Sequence, residues 1–259
     1  MTIAELKVGS RIMIGKYGVS DRVFPIWWIK ATQNCDFITE SVLDYLMFDA
    51  KEHQAPNYGC RNYGNPDYAT SNIRQFLNSE DDDWYYPQHG SDNAPRSRGD
   101  AMARYGHPVG TYKQHCGFLR HFEDYEIESM STSVELPDWR DVDKYGQNKF
   151  EVFKKKGVRP HGTRDYVINA PCCPFDEGSY MDFWVKGRQG EMVEVCDRTG
   201  NLNHKAPATP SGLRPKCRIK GDIEVQPAEN AEGFFIVPFE VGADSVVTDE
   251  ELFTFLGLR

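Results

Sequence analysis

Apolar residues in this chain come in short runs that glycine or proline soon interrupts, which argues against a framework of long helices. Val8 to Gly18 alternates apolar and polar positions and is closed by glycines, the pattern of a half-buried strand. Phe24-Pro25-Ile26-Trp27-Trp28-Ile29-Lys30-Ala31 reads as a second strand, with Pro25 near its start where the missing N–H does least harm. Phe37-Ile38-Thr39 continues a meander, and Ser41 to Leu46 reads as a short capped helix. With 22 glycines, 15 prolines and 13% aromatic residues, the chain is expected to be a loop-rich α+β fold with short antiparallel strands and few short helices.

One helix is well specified. In Tyr68-Ala69-Thr70-Ser71-Asn72-Ile73-Arg74-Gln75-Phe76-Leu77-Asn78, Ser71 or Asn72 caps the start, and Ile73, Phe76 and Leu77 share one face. Further on, Ser133 to Pro137 reads as a strand ended by proline. Tyr166 to Pro171, Tyr180 to Val185 and Glu191 to Cys196 read as successive antiparallel strands, with Gly187 and Gly190 at the turn between the last two. The run Ser211-Gly212-Leu213-Arg214-Pro215-Lys216-Cys217-Arg218-Ile219 is expected to turn at Gly212 and Pro215. It then leads into a strand that carries Cys217 and Ile219 inward and closes the same sheet.

A formal charge of −9 argues against a nucleic-acid surface, which needs a basic patch to neutralise phosphates. Lys154-Lys155-Lys156 is a short basic run that reads as a solvated turn. No apolar run reaches the roughly 20 residues that a membrane span requires. The first residues lack a basic segment followed by an apolar one, so the expectation is a chain made in the cytoplasm without a signal peptide. Seven cysteines at 35, 60, 116, 172, 173, 196 and 217 show no repeated spacing and read as free, mostly buried thiols.

In order along the chain, Pro25-Ile26-Trp27-Trp28, Ser71-Asn72-Ile73-Arg74-Gln75-Phe76-Leu77-Asn78 and Gly212-Leu213-Arg214-Pro215 carry a resemblance. The pattern resembles a domain family of unknown function found in gut-type bacteria and their phages. Its members show P-I-x-W, an S-x-x-R-x-W-L-N helix and a G-V-R-P-A turn. Residues 9–225 are covered, apart from the segments 88–115 and 140–163. Tyr68 and Phe76 stand where tryptophans are usual, and the W-L-R-S-P element appears as Tyr166-Val167-Ile168-Asn169-Ala170-Pro171, so the chain looks like a divergent member. The resemblance implies a C-type-lectin-like fold related to the formylglycine-generating-enzyme module, with Arg74 and Arg214 binding internal carbonyls or acids.

The expected organisation is a lectin-like domain over residues 1–225, with a long loop insertion at 88–115, and a carboxy-terminal arm over 226–259. Chemistry is sparse. No His/Cys spacing suits a zinc site, Glu80-Asp81-Asp82-Asp83 lacks the motifs of a calcium-binding lectin, and no metal or cofactor is expected. Arg98-Gly99-Asp100 reads as a chance tripeptide. Cys172-Cys173 sit on adjacent positions that point apart in an extended chain. No catalytic residue is assigned.

The binding candidates are Trp84, Tyr85, Tyr86 and His89, aromatics on a polar stretch that could stack on sugar rings or anchor a protein. The arm carries Phe234, Phe235 and Phe239, then Leu252, Phe253, Phe255 and Leu256 after a capping box at Thr248 to Glu251. A helix that short needs a surface on which to bury its apolar residues, so the arm is an assembly candidate. The expectation is a non-enzymatic binding or structural module, a phage virion component such as a capsid decoration, head fibre or tail-associated protein. Its partners would be other virion or assembly proteins, a host surface glycan, or further copies of itself. The alternative is a cysteine-dependent enzyme of the formylglycine-generating-enzyme type, with a cysteine acting beside His115 or His161.

Overall fold

Two sheets combine hairpin-linked strands with pairings between strands far apart in sequence. The computed structural model describes residues 1–19, 22–52, 55–85, 112, 115–143, 149–154, 182–197, 200–228 and 233–238. In the first sheet, β1 (Arg11–Val19), β2 (Arg22–Lys30) and β3 (Asp36–Thr39) form the expected antiparallel meander. β9 (Lys216–Arg218) adds antiparallel to β3, while β11 (Phe234–Ile236) lies parallel to β1 and antiparallel to β10 (Val225–Pro227). The order is β10-β11-β1-β2-β3-β9. The second sheet runs β4 (Asp44–Met47), β8 (Pro210–Leu213), β5 (Phe183–Gln189), β6 (Met192–Cys196) and β7 (Leu202–Lys205), with only the β5–β8 pair parallel. The fold is therefore mixed α+β with mostly antiparallel strands, as the interrupted apolar runs predict.

The helices are short: α1 (Tyr58–Tyr63), α2 (Asn72–Leu77), α3 (Asp124–Ser129), α4 (Trp139–Val142) and α5 (Glu151–Lys154). No described helix is long and apolar enough to cross a membrane. α2 matches its expectation: the Ser71 hydroxyl accepts from the Arg74 N–H at 3.4 Å, and Ile73, Phe76 and Leu77 are fully buried. Asp49, itself buried, accepts from the Asn72 N–H at 2.9 Å, and the Asn72 amide oxygen accepts from the Ala50 N–H at 2.8 Å. The helix start is thus tied to the chain after β4.

Two crossovers hold the sheets together. The chain steps from β3 to β4 through residues 40–43 and back from β8 to β9 through Arg214 and Pro215 alone. Arg214 is buried at this junction, where its guanidinium donates to the Thr39 carbonyl at 3.0 Å and the Glu40 carbonyl at 3.2 Å. The rings of Phe153 and Phe183 lie 5.4 and 5.3 Å from its central carbon. Burial lowers its pKa to about 10. The internal carbonyl role expected for Arg214 is what the structure contains, whereas Arg74 reaches the Ala69 carbonyl at 3.1 Å from an exposed position. Lys30 is a second buried basic side chain, donating to the carbonyls of Ile3, Ala4 and Leu6 at 2.8, 3.2 and 2.9 Å and so capping the short 3-10 turn Ile3–Glu5.

Several expectations need correction. Ser41 to Leu46 is not a helix, because Asp44–Met47 pairs with β8 and this distant pairing overrides the local capping signal. Ser133 to Pro137 makes only a single bridge, Glu135 to Lys216. The run 211–219 does not close one sheet but passes from the second to the first. Gly212 is not a turn residue: it lies inside β8, where an added Cβ would sit 2.6 Å from the Asp182 carbonyl oxygen. The proposed boundary after residue 225 cuts through β10, and the arm's Phe234 and Phe235 belong to β11 in the domain's own sheet. Both side chains are half-buried, with Phe234 packed against the main core. Phe239, Leu252, Phe253, Phe255 and Leu256 lie outside the described residues, as do the expected strand at 166–171 and Cys172-Cys173.

Candidate functional site

Tyr17, Asp44, His115, Cys116 and His121 come together in one group of titratable side chains. Three parts of the fold supply them. Tyr17 follows a register shift in β1 at Gly15, whose φ of 75° and tight approach to the Phe122 ring, 2.7 Å from an added Cβ, favour glycine there. Asp44 opens β4 in the other sheet. His115 and Cys116 precede a 3-10 turn, Phe118–His121, which ends with the second histidine.

The Tyr17 hydroxyl donates to Asp44 Oδ2 at 2.7 Å, and His115 Nε2 lies 3.6 Å from the same oxygen. The Tyr17 ring stacks beside His115 at 6.4 Å and meets His121 at 4.7 Å. Cys116 Sγ lies 3.6 Å from His121 Nε2. Burial pushes the Tyr17 phenol well above its ordinary value, and Asp44 adds to the rise. Burial also pushes the Cys116 thiol up, helped by Asp82. Burial pulls His121 down to about 4, with His115 adding a smaller effect in the same direction. At neutral pH the thiol is therefore protonated and the His121 imidazole uncharged, so a thiolate–imidazolium pair is not the resting form.

Trp84 and Tyr85 do not face solvent. Their exposures are 0% and 1%, which removes them as a stacking platform and makes them core residues. Trp84 Nε1 donates to the His115 carbonyl at 3.2 Å, Tyr85 stacks parallel on Tyr112 at 5.9 Å, and Trp84 meets Phe76 at 5.7 Å. The Tyr112 hydroxyl in turn donates to the Met47 carbonyl. The carboxyl end of the 88–115 segment is thus anchored in the core at Tyr112 and His115. Tyr86 and His89 lie outside the described residues.

The exposed aromatics are elsewhere. Tyr58 and Tyr63 on α1 are 63% and 41% exposed, with ring centroids 6.4 Å apart and edge to face. α1 is capped by Asn57, whose side chain accepts from the Gly59 N–H at 2.8 Å. At Gly59 the helix abuts the Glu191 carboxylate of the β5–β6 turn, 2.5 Å from an added Cβ. Sequence reading missed this face because residues 51–67 show only as a polar, turn-rich stretch. The available signal was two tyrosines in a segment with little apolar company to bury them. It also missed Tyr17, Asp44 and His121, which only tertiary structure brings to His115 and Cys116.

Cys35, Cys60, Cys116, Cys196 and Cys217 are free thiols. Burial raises Cys60, and it raises Cys196 to about 12. Glu80, Asp81, Asp82 and Asp83 are exposed. Among the described residues no group of three or more His, Cys, Asp or Glu side chains is placed to hold a metal ion. Compared with protein-family models, curated proteins and solved structures, the chain finds no match.

Proposed function

We propose that this chain is a non-enzymatic binding and structural module with a C-type-lectin-like fold. In this reading it serves as a phage virion component, such as a capsid decoration, head fibre or tail-associated protein, and engages a protein or glycan partner. The observation that carries the non-enzymatic part is the state of the Tyr17–Asp44–His115–Cys116–His121 group. The Tyr17 hydroxyl is spent on Asp44, His115 lies against the same carboxylate and Cys116 lies against His121, so the group's side chains tie β1, β4 and the 3-10 turn to one another. Recognition then falls to the surface, where Tyr58 and Tyr63 are exposed. The virion assignment rests on the sequence resemblance. Mass spectrometry of purified phage particles from a strain carrying the gene tests it directly. Recovery of the chain in a fixed ratio to the capsid protein is expected, and its absence from intact particles would overturn the assignment.

A second reading is favoured by one distance, the 3.6 Å between Cys116 Sγ and His121 Nε2. In a cysteine-dependent enzyme His121 would take the thiol proton as Cys116 attacks. That reading requires Cys116 to be alkylated faster than the chain's other thiols, and the binding-module reading requires it to be slow.

A further inference from the structure

Two of the four large apolar side chains that are exposed among the described residues, Tyr58 and Tyr63, lie on α1, which meets the Glu191 side chain of the β5–β6 turn at Gly59. The edge-to-face tyrosines make a corner rather than a flat hydrophobic plane, with an interplanar angle of 76°. Tyrosine offers a rigid apolar face with only two side-chain torsions to immobilise. At roughly 200 Å² per side chain and exposures of 63% and 41%, the tyrosine pair presents about 200 Å². A stable protein interface needs about 800 Å² from each partner, so the patch alone is too small for one. It is, however, the size of one or two sugar rings.

The polar surroundings narrow the choice further. Arg61 and Asn62 are on the same helix, and the Asn62 amide is already directed at the Tyr58 carbonyl, to which it donates at 2.9 Å. Glu191 lies over Gly59, and Cys60 in the middle of α1 feels Glu52, Asp49 and Glu191. Asp49 is buried and spends both carboxylate oxygens on the Asn65 and Asn72 N–H groups, but Glu52 and Glu191 beside one arginine disfavour an anionic ligand and offer acceptors to hydroxyl groups.

From the paired rings, the small apolar area and the acceptor-rich rim, we infer that the Tyr58–Tyr63 face binds an uncharged carbohydrate. The C–H face of a sugar ring packs on an aromatic ring, whose π face is negative, while its hydroxyls reach Glu191 and the α1 polar side chains. The inference rests on the binding-module reading and specifies the partner of one face.

The test uses the full chain and uncharged tetrasaccharides of glucose, galactose, mannose and N-acetylglucosamine, with tetragalacturonate as the anionic comparison. Binding is followed by saturation-transfer NMR and titration. At least one uncharged tetrasaccharide should bind, and tetragalacturonate should bind at least tenfold more weakly. Tyr58→Ala with Tyr63→Ala should weaken binding at least tenfold without moving the thermal transition. Absence of binding to every uncharged member, or equal binding by the double variant, would overturn the inference. Incorporation of the double variant into particles separates the two readings. Lost incorporation with no sugar binding would make the face a protein contact, ending the carbohydrate inference while the binding-module reading stands.

Discussion

Two groups of aromatic residues on similar polar segments meet opposite fates. Trp84 and Tyr85 end an acidic run and look like an exposed platform, yet they lie inside against Phe76 and Tyr112. Tyr58 and Tyr63 stand in an equally polar stretch and remain outside. The difference is what lies next to each. Trp84 and Tyr85 follow α2, whose buried face already carries Phe76, and the returning chain at Tyr112 and His115 closes over them. α1 is pressed at Gly59 against a single carboxylate side chain and at Gly64 against the Asp49 carbonyl and Pro207, contacts that leave its two tyrosines uncovered. Exposure here is set by tertiary neighbours and not by local polarity.

The comparison is broken most easily by removing the buried ring. Trp84→Ala should cost about 3–5 kcal/mol, because it empties a filled core site, and chemical denaturation measures it. A cost below about 1 kcal/mol would place Trp84 at the surface after all.

A change of pH probes the same interior. Burial lowers His121 to about 4 from an ordinary 6.5. In the window between those values the unfolded chain takes up a proton that the folded chain refuses. The stability linked to His121 is therefore full above pH 6.5, falls as pH drops towards 4, and falls no further below it. The loss is roughly 3 kcal/mol at about 1.4 kcal/mol per pH unit. Denaturation at pH 7.5 and 4.5 should show a smaller fall in His121→Asn than in the parent chain, and equal falls would contradict the buried placement. Tyr112→Phe should cost about 1–2 kcal/mol, since it leaves the Met47 carbonyl without that donor. Smallest of all, Tyr58→Ala and Tyr63→Ala should each change stability by no more than about 0.5 kcal/mol. A larger loss would mean that these rings are structural.

Sequence reading located β1, β2, β3, α2 and β6, because each has a local periodic pattern or a cap that agrees with the final pairing; of β5 it found only the start, since Gly187, expected at the turn, lies inside the strand. It failed where a distant partner decides. β4 carries a helix-like capping signal but is held by β8, and Gly212 reads as a turn although it is a close approach to the Asp182 backbone. The candidate site was legible only as the neighbours His115 and Cys116. Asp44 and Tyr17 come from different sheets, and their meeting depends on crossovers that no short window encodes.

The central claim is that Cys116 belongs to a structural tie and not to a reacting centre. The direct measurement is its alkylation rate by iodoacetamide in the folded full chain as a function of pH, read by peptide mass spectrometry. Burial and Asp82 raise the thiol above its ordinary value, so the rate should still be climbing above pH 9 and should be slower than that of an unfolded control at every pH. A rate that reaches its plateau below pH 7, ahead of the chain's other thiols, would show a preformed thiolate at Cys116 and contradict the account.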